Sequence, residues 1–307
     1  MRLATTRLLA STLIGATFVC ATQPAHAKFR VFSCEPEWAA LAEEIGGDHV
    51  DVYSATTAHQ DVHYVQARPS LISRLRRADL LICSGADLEI GWLPVLLRKA
   101  SNSRVQPGEV GNLDVSKIVP MLDVPSSVDR SQGDIHPYGN PHTQTDPHNI
   151  ARAAAELSRR LEQLDASNAD DYRQRTADFL GRWEKAIAGW EQRAAPLRGM
   201  KIITHHVAWV YMTHWLGIEV VGHLEDKPGI PPTAGHLADL LAELSHEKVE
   251  LIVRACYQPE RPSEWLSERS GIPAVVLPHA VGATEGAKDL FSMFDDMLNR
   301  LLEARKP

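Results

Sequence analysis

Fourteen histidines are spread over 307 residues, and three groups of them stand where loops meet predicted elements. The first group is His59-Gln60-Asp61-Val62-His63-Tyr64, just ahead of Arg68-Pro69-Ser70. The second runs from Gly133 to His148 and places His136, His142 and His148 within thirteen residues. The third is Thr204-His205-His206-Val207-Ala208-Trp209-Val210-Tyr211. A neutral imidazole held by a rigid loop is a good ligand for a borderline metal. One histidine from each group would give a site dispersed over about 140 residues. That spacing is neither the helical H-E-x-x-H of a metalloprotease nor the short Cys/His spacing of a structural zinc knuckle. The competing reading is a set of polar loops. His59, His148, His205 and His214 are expected to support the site or lie at the surface. His136, in a Pro-Tyr-Gly turn, either orients the His142 loop or is idle.

The elements that must position these residues alternate between strand and helix. Strands are predicted at 28–33, 49–54 and 79–83, with helices at 37–45, 70–77 and 90–100. Ser70 is read as the N-cap of the second helix. Asp146 as N-cap and Pro147 as first residue open another helix directly after His142. From about Asn168 to Ala195 no proline intervenes, and Tyr172, Phe179, Trp183, Ile187 and Trp190 recur at helical spacing. This predicts one rigid helix of roughly 28 residues, about 40 Å long. Strands at 201–204, 218–222, 249–253 and 274–277 then alternate with helices at 207–215, 233–245, 262–270 and 287–302. The predicted fold is α/β, with two similar lobes of mostly parallel strands, 28–166 and 197–307, joined by a linking helix at 167–196. Ligands of such sheets bind outside the carboxyl ends of the strands, which places a site shared by the histidine groups in the cleft between lobes.

A net charge of −7 argues against a nucleic-acid or anionic-membrane partner. Residues 1–27 read as a cleavable signal peptide: Arg2 and Arg7 precede a short apolar run, Leu8 to Val19, and Ala25-His26-Ala27 ends it. The run is too short for a membrane anchor, and Phe18-Val19 is a poor lipobox for Cys20. Export to the periplasm in soluble form is the expectation. Of Cys34, Cys83 and Cys256, the first two each end a strand-like run. A Cys34–Cys83 disulfide with Cys256 free stands beside the alternative of three buried thiols.

Four motifs in order carry a resemblance along the whole mature chain. They are Asp61-Val62-His63-Tyr64 with Arg68-Pro69-Ser70; Ala78-Asp79-Leu80 with Gly85-Ala86-Asp87-Leu88-Glu89; Asn140-Pro141-His142 with Asp146-Pro147; and His206-Val207-Ala208-Trp209-Val210-Tyr211. The chain resembles the periplasmic solute-binding receptors of ABC importers for zinc and manganese, the cluster with a rigid linking helix. Gln144 stands where that family's N-P-H-x-W-x-D-P has Trp, and Val207 replaces the acid of H-D-A-F-x-Y. The resemblance implies metal ligation by His63, His142 and His206. The family's usual fourth ligand is a carboxylate in a V-V-L-D-P-L-like segment. Here the segment reads Val275-Val276-Leu277-Pro278-His279-Ala280, with proline at the acid's place. His279 is the neighbouring candidate; the alternatives are that it faces elsewhere and that water completes the shell.

Three imidazoles suit tetrahedral Zn²⁺, whereas Mn²⁺ prefers oxygen. Asp61 or Asp146 is expected to help offset the ion's charge. The implied role is delivery of Zn²⁺, with Mn²⁺ less favoured, to a membrane permease by a monomeric receptor that is not an enzyme. Affinity is expected to fall as pH drops through the histidine range. The rival reading is a secreted zinc hydrolase with a three-His site, for which Glu225 and Asp226 are the loop acids available as general base. A non-transport member of the same fold family would keep the same metal site.

Overall fold

The computed structural model describes residues 27–244 and 247–305. The signal-peptide reading therefore lies outside the described residues. The first lobe runs β1 (Phe29–Ser33), α1 (Pro36–Gly46), β2 (Val50–Ser54), α2 (Pro69–Arg77), β3 (Leu80–Cys83), α3 (Leu93–Ala100) and β4 (Asn112–Asp114). After α4 (Pro147–Leu164) and α5 (Ala169–Ala194), the second lobe runs β5 (Lys201–Thr204), α6 (Val210–Leu216), β6 (Glu219–His223), α7 (Ala234–Glu243), β7 (Leu251–Arg254), α8 (Glu260–Ser270), β8 (Ala274–Val276) and α9 (Leu290–Ala304). Each lobe holds one parallel four-stranded sheet, ordered β2-β1-β3-β4 and β6-β5-β7-β8. The two orders are the same, so each sheet reverses direction beside its first strand. The loops leaving the carboxyl ends diverge there and leave a crevice.

The linking helix α5 has 26 residues, about 39 Å at 1.5 Å per residue. It buries Tyr172, Phe179, Trp183 and Trp190 in a core that continues from Leu80 and Ile82 of one sheet to Leu251 and Val253 of the other. Trp183 meets Phe291 at 4.8 Å between ring centroids, and Trp190 meets Phe294 at 5.1 Å. The Trp183 indole donates to the carbonyl of Pro147 at 2.8 Å, tying the linker to the first residue of α4. Burying each such side chain stabilises by about 1.5–3 kcal/mol. A hinge opening between lobes would have to break this shared core.

Three local readings change. Arg68, not Ser70, is the N-cap of α2, because Pro69 takes the first helical position, where a missing N–H costs nothing. The helix read from Ile90 begins at Leu93, since Ala86 and Asp87 have positive φ and hold the preceding segment in turns. The three-residue strand β4 is too short for its alternation to register.

Cys34 and Cys83, at the ends of neighbouring β1 and β3, form a disulfide, and Cys256 is free. Closing a 49-residue separation stabilises by about 4 kcal/mol in the chain-entropy model. Thiol titration of residues 28–307 in denaturant is expected to count one thiol before reduction and three after; three before reduction would exclude the bridge.

Candidate metal centre

His63 lies in a single turn, Val62–Tyr64, that follows β2. One oxygen of Asp61 accepts both its backbone N–H at 3.0 Å and its ring Nδ1 at 2.8 Å. That pair of hydrogen bonds fixes the rotamer and places the proton on Nδ1, leaving the lone pair on Nε2. Asp146 and His148 repeat the same device at the start of α4, but that ring is half-exposed and turns toward Glu191. Asp146 thus caps α4 and engages His148, not His63, His142 or His206.

His206 lies two residues beyond the end of β5. Its Nδ1 meets Glu225 Oε2 at 2.7 Å, and the same oxygen accepts the Gly229 N–H at 2.9 Å. The buried Nε2 of His206 has no hydrogen-bond partner. His142 is likewise buried, with Nε2 unpartnered. Its backbone N–H donates to Asn140 Oδ1 at 3.1 Å, while Asn140 Nδ2 donates to the Val207 carbonyl at 2.7 Å. Tyr211 then donates its hydroxyl to the Asn140 carbonyl at 2.8 Å. The Asn-Pro-His loop of the first lobe is therefore pinned to the second lobe at the residues that follow His206.

The three rings form a nearly equilateral triangle, with centroids 5.6 Å apart for His63–His142, 5.7 Å for His63–His206 and 5.5 Å for His142–His206. One ligand nitrogen from each lies within 4.8 Å of the other two. Two of these nitrogens, Nε2 of His142 and of His206, are buried without a partner, which costs free energy, and the convergence is one a metal ion satisfies. Beside it a cavity of about 200 Å³ is lined from the first lobe by Asp61, His63 and Tyr64 and from the second by His205, His206 and Glu225.

The structure does not bring His279 into the group of three. Its ring packs edge-on to Tyr257 at 5.0 Å, with Nδ1 unpartnered, and its carbonyl accepts from Gln144 Nε2. It lines a small chamber of about 20 Å³, together with Glu37, His63, His142 and Gln144. His136, idle or orienting on the sequence reading, stands instead with its Nε2 3.3 Å from His63 Nε2. The sequence signal for it was only its closeness to His142. Glu225, the acid available to a hydrolase, is spent on His206 and Gly229. Asp226 is mostly exposed and faces His236 at 3.8 Å.

Burial, followed by the neighbouring imidazoles, holds His142 well below the usual histidine range. The same causes push His136 down to about 4. At neutral pH these nitrogens already carry lone pairs, so protons compete with a metal for them only at lower pH than an exposed imidazole would show.

Residues 31–304 match the family of the periplasmic zinc-uptake complex component A, ZnuA. The chain belongs to this family. It is similar to the manganese ABC transporter substrate-binding lipoprotein PsaA of Streptococcus pneumoniae, 23% identical over 251 residues that cover 80% of this chain and 78% of that one. It is similar also to the iron ABC transporter substrate-binding lipoprotein MtsA of Streptococcus pyogenes serotype M1, 21% identical over 254 residues, with the same coverages of 80% and 78%. Its backbone resembles a crystal structure of ZnuA with a TM-score of 0.76 at 22% identity, covering 91% of this chain and all of that one. As a ZnuA-family member the chain is a metal-binding receptor of an ABC-type importer and not an enzyme. Relatives named for manganese and iron leave the metal open at the family level. Among the described residues no helix is long and apolar enough to cross a membrane.

Proposed function

We propose that this ZnuA-family receptor binds Zn²⁺ through His63, His142 and His206 in the cleft between its lobes and delivers it to the permease of an ABC importer. The observation that carries the choice of metal is where the carboxylates sit. Asp61 and Glu225 are both engaged by the Nδ1 atoms of ligand histidines. What faces the centre of the triangle is then imidazole Nε2. A nitrogen donor set favours zinc, while Mn²⁺ prefers carboxylate and water oxygen and binds most weakly in the first-row series. Each carboxylate raises the basicity of its histidine and fixes its aim without entering the coordination shell. The two acids also offset the ion's charge, which neutral imidazoles leave intact.

Periplasmic placement follows from the signal-peptide reading of residues 1–27, and a monomer is the form proposed. Because α5 shares its aromatic core with both lobes, release proceeds by movement of the loops over the site and not by wide hinge opening. Titration of metal-stripped residues 28–307 with Zn²⁺, Mn²⁺ and Fe²⁺ in turn, each in competition with a chromophoric chelator, tests the reading. One equivalent of zinc, preferred over manganese by at least about 100-fold, is expected from a nitrogen donor set. Manganese binding as tight as zinc, or no binding of either, would overturn it.

A further inference from the structure

The metal-receptor reading leaves the fourth ligand unassigned, and the inference made here rests on that reading. We propose that His136 is the fourth metal ligand, supplied by a loop of the first lobe that latches onto the second lobe across the mouth of the site.

The distance supports a shared ion. Two nitrogens bound to one tetrahedral zinc at about 2.0–2.1 Å stand about 3.3–3.4 Å apart. The Nε2 atoms of His63 and His136 are 3.3 Å apart, with ring centroids at 5.4 Å. Asp61 occupies the Nδ1 of His63, so the nitrogen that faces His136 is the one free to bind metal. His136 meets the triangle at this one corner, outside the group whose nitrogens lie within 4.8 Å of one another, and the ion would draw its ring in as the fourth nitrogen. His279 lines a chamber with His63, His142, Glu37 and Gln144, but its ring packs on Tyr257, whereas the His136 ring meets that of His63.

The loop is built to hold this ring over the site. Its amide at Asp134 donates to the Pro228 carbonyl of the second lobe at 2.8 Å, and Lys227 Nζ donates to the Ser131 carbonyl at 2.9 Å. Tyr64, next to His63, donates its hydroxyl to Asp134 Oδ2 at 2.7 Å. Gly133 and Gly229 permit the approach. A Cβ on Gly133 would lie 2.3 Å from the Pro228 carbonyl oxygen, and one on Gly229 would lie 2.2 Å from Asp134 Oδ2. Both glycines also have positive φ, 86° and 75°. The segment that meets the loop, Lys227 to Gly229, follows Glu225, which orients His206. One latch thus joins the fourth ligand to the carboxylate behind another ligand, and opening it withdraws an imidazole as it uncovers the cavity.

The test counts imidazoles. Residues 28–307 loaded with one equivalent of Zn²⁺ are studied by X-ray absorption at the zinc edge, alongside His136→Ala and His279→Ala. The same three proteins are titrated with Co²⁺, whose visible absorption reports tetrahedral geometry. Wild type and His279→Ala are expected to show four imidazoles. His136→Ala is expected to show three plus oxygen, a changed Co²⁺ spectrum, and zinc affinity lower by at least about 10-fold, the least that loss of a supporting partner costs. Four imidazoles that persist in His136→Ala, or one lost in His279→Ala, would overturn the assignment. Three imidazoles in wild type would overturn it while leaving the receptor reading intact; a wild type that takes up no zinc would overturn both. The wild-type spectrum is informative whether or not either variant folds.

Discussion

Alanine at His63, His142 or His206 is expected to lower zinc affinity by more than about 100-fold, the upper end of what losing an outer partner costs a metal site. Each substitution removes one corner of the triangle. Asp61 and Glu225 are the nearest acids, and both are aimed at Nδ1 atoms by several hydrogen bonds. In His142→Ala, swinging either into the shell would give up those bonds and the orientation of a surviving histidine; in His63→Ala and His206→Ala the acid behind the lost ring is still held by a backbone N–H. Asp61→Asn and Glu225→Gln should therefore behave differently from the ligand substitutions. They keep the donor count and lower affinity by about 10–100-fold, by loosening tautomer and aim. Chelator competition separates the two classes. Thermal unfolding supplies a second measure, because zinc at 100 times its dissociation constant stabilises the native state by about 2.7 kcal/mol. That increment should vanish in the alanine variants and persist, at higher zinc, in the carboxamide ones. Equal losses in both classes would mean that the acids bind the ion directly.

Much of this site was legible because its parts are local. Asp61-Val62-His63 and Asn140-Pro141-His142 each carry candidate ligand and positioning group within three residues, and α4 begins at the Asp146-Pro147 signal that announces it. The long helix could be read because its aromatic residues keep one face over 26 residues. What escaped depends on contacts distant in the chain. Glu225 reaches His206 across 19 residues, and His136 reaches His63 across 73. Neither pairing has a spacing rule. Pro278 in place of the family's acid drew attention to His279, the next residue, but position beside a motif does not fix where a ring points. In sequence the turn that carries His136 reads as either orienting the His142 loop or idle, because its partner, the loop at Lys227 to Gly229, belongs to the other lobe.

The metal-free receptor is expected to be most stable near pH 6.5, because two sets of buried groups oppose each other. Burial pushes His136, His205, His223 and His279 down to about 4, and His142 well below its ordinary value of 6.5. As pH falls from 6.5 toward 4, the unfolded chain binds protons that the folded chain refuses, so this contribution is complete above 6.5 and lost below it. Behind the disulfide, burial holds the carboxyls of Glu35, Glu37 and Glu89 up, with Glu37 at about 8 and Glu89 at about 7 against an ordinary 4.5. The folded chain keeps their protons while the unfolded chain releases them, so their contribution is present below 4.5 and lost as pH rises through 7 and 8. Between 4.5 and 6.5 both sets act, and five imidazoles outweigh three carboxyls that stand close enough to share protons. Above 6.5 only the carboxyls still change. Each uncompensated proton is worth about 1.4 kcal/mol per pH unit, so urea midpoints of the zinc-stripped protein should fall measurably at both pH 5 and pH 8. Glu37→Gln should flatten the alkaline limb and leave the acid limb in place. A midpoint that keeps rising to pH 8 would mean that these carboxyls are ionised in the folded protein. Zinc acts on the acid side, because a coordinated imidazole cannot take a proton. Loaded protein should hold its midpoint to lower pH until protons displace the ion, and below that point its curve should join that of the stripped protein.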